Sequence, residues 1–209
     1  MKAPAHWSRP PQAPGILARL LSPATALWRL GSAVRAHLMT TEIAPVPVLC
    51  VGNLTAGGAG KTPMVASLLR RLEAKDVKAH VVSRGYGGRI DGPHRVDITK
   101  DNAGDVGDEP LMLAAMAPVW VARNRVEGAR AAAAAGAELV ILDDGFQNPG
   151  LMKDAAIVMV DAMSGFGNAR LIPAGPLREP VLAGLERADL IVLVGDQDSR
   201  ARALQTWPA

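Results

Sequence analysis

Residues 48–63 read Val-Leu-Cys-Val-Gly-Asn-Leu-Thr-Ala-Gly-Gly-Ala-Gly-Lys-Thr-Pro. Four apolar residues typical of a buried strand lead into a glycine-rich turn, and Lys61-Thr62 opens a segment with helical character. Glycines let the backbone bend sharply and direct several N–H groups at one anion, and the following helix adds the positive end of its dipole. The segment therefore predicts a loop that binds nucleotide phosphates, with Lys61 on the β- and γ-phosphates and Thr62 on Mg²⁺.

Position 55 departs from the strict pattern of such a loop. The pattern G-x-x-x-x-G-K-[ST] has glycine where this chain has Thr55. Because the strand before it and the helix after it are both present, we favour a phosphate site. The alternative is a strand-to-helix connection that binds no ligand. The predicted phosphate-binding residues are Thr55, Ala56, Gly57, Gly58, Ala59, Gly60, Lys61 and Thr62.

Length and composition indicate one globular domain with an aliphatic core. The chain has 209 residues, of which 49% are hydrophobic and 3% aromatic. Its net charge of +3 does not indicate nucleic-acid binding, and we predict no nucleic-acid partner. The single cysteine, Cys50, excludes a disulfide framework, fits a reducing compartment and is predicted to be a buried structural thiol.

The amino-terminal region is predicted to be a proline-rich, poorly ordered lead-in over 1–14 and a helix over 15–39. Ser22-Pro23 resembles a helix start, so the helix is expected to restart there. Leucines and a tryptophan alternate with arginines, which suits a helix lying in the headgroup region of an anionic membrane. A surface helix packed on its own domain is the equally weighted alternative. We predict no signal peptide and no spanning helix, because the uncharged stretch between Arg19 and Arg29 is too short.

Apolar strand patterns and helical segments alternate along the rest of the chain, which predicts an α/β fold with a mostly parallel sheet flanked by helices. Ligands bind such sheets at the carboxyl ends of the strands. The glycine-rich segment 83–88, with Arg84 and Tyr86, is therefore expected at the ligand edge, and a plain flexible turn is the alternative. The predicted strands are 48–51, 78–83, 94–98, 119–122, 139–144, 157–161 and 190–194, and the predicted helices are 63–74, 111–116 and 123–135.

Two acidic pairs and several arginines are candidates for phosphate chemistry. Asp143-Asp144 ends an apolar strand, as metal-binding carboxylates do in many nucleotide-binding proteins, and a helix cap or solvated turn is the alternative. Asp108-Glu109 precedes a predicted helix. On the residues alone, we favour the interpretation that this acidic pair complements the helix dipole. The candidate phosphate contacts are Arg84, Arg123, Arg125 and Arg178, the last in a stiff loop with three prolines over 171–180.

Several further motifs occur in the order expected for one family. The chain closely resembles the tetraacyldisaccharide 4'-kinases, the lipid A 4'-kinases of Gram-negative bacteria, from about residue 15 to 195. The matching segments are Val-Gly-Asn-Leu-Thr-Ala-Gly-Gly-Ala-Gly-Lys-Thr-Pro (51–63), Ser-Arg-Gly-Tyr-Gly-Gly (83–88), Gly-Asp-Glu-Pro (107–110), Asp-Asp-Gly-Phe-Gln (143–147), Phe-Gly-Asn (166–168) and Pro-Ala-Gly-Pro-Leu-Arg-Glu-Pro (173–180).

The resemblance implies a P-loop NTPase-like kinase that uses ATP and Mg²⁺. The implied acceptor is the 4'-hydroxyl of a tetraacylated glucosamine disaccharide 1-phosphate, a lipid A precursor. The implied location is peripheral, at the cytoplasmic face of the bacterial inner membrane, with the amino-terminal helix on the anionic membrane surface. We accordingly expect a membrane-proximal segment over 1–44 and a kinase core over 45–209.

The resemblance also implies roles for individual residues. Asp108 becomes the expected catalytic base, which reverses the interpretation from the residues alone. Lys61, Asp144 and Arg178 complete the expected catalytic set. ATP is expected on residues 55–62 and Mg²⁺ on Thr62 and Asp143, and the expected substrate contacts are Arg84, Tyr86, Glu109 and Arg125.

Two features depart from the family. Asn148 stands where the family has a histidine, and asparagine cannot carry a proton at neutral pH. Family members are also longer, so we expect a carboxyl-terminally truncated chain whose transfer activity is reduced or lost. The alternatives are a GTPase-like switch and an inactive ATP-binding fragment, although no [NT]-K-x-D segment for reading guanine is present.

Overall fold

The computed structural model describes residues 4–206, without the side chains of Arg35, Ala36 and Thr206. Residues 1–3 of the predicted lead-in and 207–209 of the predicted kinase core lie outside this description. In chain order the helices and strands are α1 (Ile16–Leu38), β1 (Val48–Gly52), α2 (Lys61–Glu73), β2 (Ala79–Ser83), β3 (His94–Arg95), α3 (Ala103–Val106), α4 (Asp108–Leu113), β4 (Val119–Val121), α5 (Arg125–Ala134), β5 (Leu139–Asp143), β6 (Ala155–Asp161), α6 (Val181–Leu185), β7 (Leu190–Val194) and α7 (Gln197–Thr206).

The chain forms two compact units, and the first, called the sheet unit here, comprises Thr40–Gly52 and Lys61–Ala156. Its strands lie in the order β3-β4-β2-β5-β1. Strand β3 is antiparallel to β4, and the other neighbouring pairs are parallel. Every residue of β2 and nearly every residue of β5 is buried, as expected for strands covered on both faces. The predicted α/β fold with a mostly parallel sheet is confirmed.

Among the elements of the sheet unit, α4 and β3 differ most from their predicted bounds. Helix α4 begins at Asp108 rather than at 111, because Gly107 can precede the helix with a positive φ and Pro110 fits the first helical turn. Strand β3 ends at Arg95 rather than at 98. The Asp101 carboxylate accepts a hydrogen bond from the Asp97 N–H at 2.8 Å, and this turn ends the strand.

The second unit, called the loop unit here, comprises the described residues up to Met39, residues 53–60 and those from Ile157 onward. Strand β6 begins in the sheet unit and pairs in parallel with β7, with Ile157 opposite Leu190. Helix α1 is continuous, so the predicted restart at Ser22-Pro23 is wrong. The Ser22 hydroxyl donates to the Ala18 carbonyl oxygen at 2.8 Å inside the helix instead of capping a new one.

The described part of the predicted lead-in, residues 4–14, is better ordered than expected. The Trp7 indole N–H donates to the Pro173 carbonyl oxygen at 3.2 Å, and the Trp7 carbonyl oxygen accepts from the Asn168 N–H at 2.9 Å. These contacts join residues far apart in the sequence, so local composition could not indicate them. The prediction of a poorly ordered segment is wrong for this stretch.

A buried histidine lies within the parallel sheet. His80 of β2 is 6% exposed, and its Nδ1 accepts a hydrogen bond from the Trp120 indole N–H at 3.3 Å. Burial and then the charge of Arg95 lower the pKa of His80 from its ordinary value. Nδ1 must therefore be unprotonated for the fold to keep this hydrogen bond.

The His80 environment predicts a pH-dependent stability. Because the pKa is lower in the folded chain, unfolding takes up a proton, and the free energy of unfolding should fall as pH drops below the ordinary histidine pKa of 6.5. The contribution of one such group is at most about 1.4 kcal/mol per pH unit. Urea unfolding at several pH values between about 5 and 7 gives the slope of the free energy of unfolding against pH. This slope should be shallower for His80→Gln than for the wild type.

The matched control for this prediction is His37→Gln. His37 is exposed on α1, so its replacement should leave the slope as in the wild type. Identical slopes for the His80→Gln variant and the wild type would contradict the prediction.

Candidate functional site

Three neighbouring strands of the sheet unit end at the same edge. Strand β5 lies between β2 and β1, and Asp143 at its end is in register with Val51. The Ser83 hydroxyl at the end of β2 donates to Asp143 Oδ2 at 3.5 Å. Strand β1 leads directly into residues 53–60. The strand order therefore brings a carboxylate and a hydroxyl to the edge from which the glycine-rich segment leaves the sheet.

Helix α2 adds a cation to this edge. Lys61 and Thr62 are its first residues, and both are buried. Lys61 Nζ lies 3.6 Å from Asp144 Oδ1. Asp144 has a φ of 51°, and its N–H donates to the Val51 carbonyl oxygen at 3.0 Å, so the chain turns immediately after β5. A turn rather than a helix follows the acidic pair, so the alternative of a helix cap is wrong.

Asp143 is a buried carboxylate with a perturbed pKa. Burial, then the charges of Glu109 and Asp144, raise its pKa from 3.8 to about 6, against the opposing effects of Lys61 and Ser83. Its Oδ1 is buried and has no hydrogen-bond partner. A buried carboxylate oxygen without a partner is costly, and a ligand that offers a cation or a donor would relieve that cost.

A buried arginine faces the acidic pair. Arg125, the first residue of α5, is 5% exposed, and its Nη1 donates to the Ala122 carbonyl oxygen at 2.6 Å. Its Nε has no partner. Burial, then the charge of Arg84, lower the pKa of Arg125 to about 10, while Asp144 and Asp143 act in the opposite direction. Arg125 therefore stays charged at neutral pH and has one donor available.

The glycine-rich segment after β2 lies against the segment before α4. A Cβ added to Gly107 would lie 2.6 Å from the Tyr86 carbonyl oxygen, and one added to Gly88 would lie 2.6 Å from the Asp105 carbonyl oxygen. Only glycine permits this close approach of two backbones. Tyr86 is 85% exposed, and Asp108 is exposed at the start of α4.

The loop unit holds residues 55–60 together with Arg178. Gly57 and Gly60 have φ values of 138° and 77°, and the Asn53 side chain donates to the Gly57 carbonyl oxygen at 3.1 Å. The Ala56 N–H donates to the Pro176 carbonyl oxygen at 2.7 Å, and the Arg178 N–H donates to the Leu54 carbonyl oxygen at 2.8 Å. The glycine-rich segment is thus braced by the loop that carries Arg178.

Within each of the two units, the structure links most of the predicted site residues to one another. In the sheet unit, contacts or electrostatic effects link six of them, namely Lys61, Arg84, Glu109, Arg125, Asp143 and Asp144. Thr62 adjoins Lys61 in the chain, and Tyr86 and Asp108 lie on the two close-packed backbones. Arg123 instead pairs with Asp91 at 2.8 Å on the exposed surface. In the loop unit, Thr55, Ala56, Gly57, Gly58, Ala59 and Gly60 share their unit with Arg178.

Sequence reasoning missed two polar residues of this region. Ser83 contacts Asp143 only because β2 neighbours β5, which no local pattern reveals. Asn53 is fully buried and braces the glycine-rich segment, and its position directly after an apolar strand was an available signal. The Asn148 side-chain oxygen accepts from the Gly150 N–H at 2.9 Å and so stabilises a turn.

Cys50 has no part in this chemistry. It is buried, as predicted, and burial raises the pKa of its thiol to about 12. The thiol therefore stays protonated at neutral pH.

A parallel sheet whose strand β1 runs into a glycine-rich segment, followed by a helix that opens with Lys-Thr, defines a P-loop α/β protein. The family model described as LpxK, tetraacyldisaccharide-1-P 4'-kinase, matches residues 17–208 of this chain. The chain belongs to this family.

Individual relatives agree with the family match. The tetraacyldisaccharide 4'-kinase of Dinoroseobacter shibae is 54% identical over 207 residues, which are 99% of this chain and 61% of that protein. The enzyme of the same name from Rhodospirillum centenum is 57% identical over 206 residues, covering 97% of this chain and 60% of that protein. The chain thus spans about 60% of the length of these curated relatives.

A solved structure supports the fold. A crystal structure of LpxK from Aquifex aeolicus in complex with ATP is similar to this chain with a TM-score of 0.73 and 34% sequence identity. The match covers 86% of this chain and 59% of that one. The predicted P-loop NTPase-like fold is confirmed.

The raised pKa of Asp143 predicts that its ionised carboxylate destabilises the folded chain. Because the folded pKa lies above 3.8, unfolding releases a proton between pH 3.8 and about 6, so the cost develops as pH rises through this window. Asp143→Asn removes the buried charge and should raise the free energy of unfolding above pH 6 by roughly 1–3 kcal/mol. Urea unfolding in Mg²⁺-free buffer measures it.

The control for this prediction is Asp198→Asn on α7, an exposed carboxylate whose removal should change little. A destabilised Asp143→Asn chain at about pH 7–8, roughly one to two units above the folded pKa, would contradict the prediction.

Proposed function

We propose that this chain transfers the γ-phosphate of ATP to the 4'-hydroxyl of tetraacyldisaccharide 1-phosphate, a step of lipid A biosynthesis. The observation that carries the proposal is the cluster of Lys61, Arg125, Asp143 and Asp144 at the end of the parallel strands. Family membership supports the reaction, and the ATP complex of the Aquifex aeolicus structure supports the nucleotide.

The phosphate-binding part is residues 55–62. The N–H groups of residues 57–60 and the Lys61 ammonium follow one another in the chain, so we assign them to the same run of phosphates, while the Ala56 N–H donates to the Pro176 carbonyl oxygen. Arg178, whose backbone is bonded to Leu54, adds a guanidinium suited to bidentate phosphate contact. We assign Lys61, Asp144 and Arg178 to stabilising the charge of the transferred phosphoryl group.

Asp108 is the proposed catalytic base. In the reaction the acceptor oxygen bonds to the γ-phosphorus, the bond to the β–γ bridging oxygen breaks, and ADP leaves with that electron pair. The acceptor hydroxyl must lose its proton, and an exposed carboxylate can accept it. Asp108 is exposed at the start of α4, next to Glu109, whose charge acts on Asp143.

The residues present fit Mg²⁺ at Thr62 and Asp143. Mg²⁺ is commonly held by one or two carboxylates together with substrate phosphates and water, and Asp143 Oδ1 is a buried oxygen without a partner. Among residues 4–206, no group of three or more His, Cys, Asp or Glu side chains could hold a metal by itself. When bound, Mg²⁺ would neutralise charge on the phosphates.

We assign the remaining predicted residues to the lipid substrate. Arg84 and Arg125 are cations suited to the 1-phosphate or the transferred phosphoryl group. The buried Nε–H of Arg125 has no hydrogen-bond partner. Tyr86 is exposed and Glu109 adjoins the proposed base, so both can contact sugar hydroxyls.

Helix α1 is the proposed contact with the anionic inner-membrane surface, at its cytoplasmic face. Large apolar side chains remain exposed along it, with Ile16 at 78%, Leu20 at 71% and Leu27 at 73%. Arg19 and Arg29 are exposed among them. Such a helix can lie in the headgroup region. None of the helices that the structure describes is long and apolar enough to cross a bilayer. We propose 1–44 as the membrane-proximal segment and 45–209 as the kinase core.

A transfer assay with labelled ATP and tetraacyldisaccharide 1-phosphate tests the kinase. Lys61→Ala should lower transfer by about a hundredfold or more, because it removes charge stabilisation, and Asp108→Asn by about 10²–10⁴-fold, because it removes the base. The matched controls are Lys75→Ala and Asp76→Asn, two exposed neighbours after α2 that should transfer at the wild-type rate.

Three outcomes would contradict the proposal. Equal rates for Asp108→Asn and Asp76→Asn would remove Asp108 as the base. Tighter binding of GTP than of ATP would favour a nucleotide-dependent switch. Binding of ATP without transfer to the lipid would restrict the chain to nucleotide binding.

Vesicle flotation tests the membrane contact. The chain should float with vesicles that contain anionic phosphatidylglycerol and much less with neutral phosphatidylcholine vesicles. Combined Leu20→Gln and Leu27→Gln should reduce flotation several-fold by removing apolar surface. Leu204→Gln on α7, also 69% exposed, is the matched control. Equal flotation of the two variants would rule out α1 as the contact.

A further inference from the structure

The motif Phe166-Gly167-Asn168 anchors the loop that carries Arg178. Asn168 is 1% exposed, and its side-chain amide donates to the His6 carbonyl oxygen at 3.0 Å and the Ala174 carbonyl oxygen at 2.9 Å. Its Oδ1 accepts from the Arg170 N–H at 3.1 Å. Asn168 thus fixes the start and the middle of residues 170–178, called the arginine loop here.

The peptide groups of Arg178 are held on both sides. Its N–H donates to the Leu54 carbonyl oxygen at 2.8 Å, and its carbonyl oxygen accepts from the Trp28 indole N–H at 3.0 Å. Trp28 lies on α1. Earlier on the same helix, the Ser22 hydroxyl accepts from Arg170 Nη1 at 2.9 Å. Helix α1 therefore contacts both ends of the arginine loop.

The arginine loop in turn pairs with the glycine-rich segment. Leu177 forms an antiparallel bridge with Thr55, and the Pro176 carbonyl oxygen accepts from the Ala56 N–H at 2.7 Å. Together with the bond from Arg178 to Leu54, these contacts continue the backbone pairing across residues 54–56. All of these residues belong to the loop unit, so one set of contacts runs from α1 to the glycine-rich segment.

We propose that Trp28 is a positioning residue, which holds Arg178 and, through it, residues 54–56 in the geometry that binds nucleotide phosphate. This inference rests on the proposed function. A fixed backbone favours phosphate binding by a guanidinium, because each free torsion adds entropy that binding must remove. The indole of Trp28 on α1 donates a hydrogen bond to the Arg178 carbonyl oxygen. Helix α1 is then part of the phosphate site as well as the proposed membrane contact.

Trp28→Phe tests the inference, since it removes the indole donor and keeps an aromatic ring. Amide hydrogen exchange should become several-fold faster at 54–56 and 177–178 and stay unchanged in β2. ATP affinity should fall by about fivefold, the factor of one ordinary hydrogen bond. Trp120→Phe is the matched control, because it removes an indole donor from the sheet unit and should leave both readouts at 54–56 and 177–178 unchanged.

An Arg178→Ala background separates positioning from general loss of structure. Arg178→Ala removes the guanidinium but keeps the backbone groups that contact Leu54 and Trp28, so Trp28→Phe should there cost less than about fivefold in ATP affinity and still speed exchange at 54–56. The same fivefold loss in that background, or unchanged affinity or exchange in Trp28→Phe alone, would overturn the inference. A wild-type chain that binds no ATP would overturn the proposed function and the nucleotide role of Trp28, and the exchange result would still decide whether the contact holds the arginine loop.

Discussion

The parallel pairing of β5 with β1 on one side and β2 on the other sets the position of the acidic pair. Register places Asp143 beside Val51, one residue before β1 ends, and brings Ser83 to within 3.5 Å of the Asp143 carboxylate. A slip of one residue would turn every side chain of β5 to the opposite face. The buried apolar residues of β5 prevent such a slip, so hydrophobic packing fixes where the charges lie.

Burial on both faces also explains the electrostatics of this edge. The same covering that excludes water from β5 raises the pKa of Asp143 and lowers that of Arg125. Each group has one buried polar atom without a partner, Oδ1 in Asp143 and Nε in Arg125. Opposite charges held with unused donors and acceptors are typical of sites that are completed by a ligand, since a structural ion pair would use those atoms itself.

The sequence was sufficient to predict the features that depend on local pattern. Continuous apolar runs predicted most of the strands, and Gly-Lys-Thr after β1 predicted the start of a helix. The helix start at Asp108 and the unbroken α1 were missed because Gly107 and Ser22 have more than one possible local role. The link between Ser83 and Asp143 depends on strand order, which periodicity does not contain. The burial of Arg125 likewise depends on the packing of α5, whose alanine-rich sequence has little amphipathic character.

The contacts around the arginine loop show why sequence patterns could not predict the role of Trp28. Trp28 and Arg178 are 150 residues apart, and the tryptophan reads as one more apolar residue of an amphipathic helix. Its ring is 41% exposed, so burial alone would not mark it either. Only the direction of the indole N–H distinguishes it from the neighbouring leucines. An apolar side chain can contribute area to a membrane contact, but only a donor can fix a carbonyl oxygen. The two roles proposed for α1 therefore fall on different side chains of the same helix.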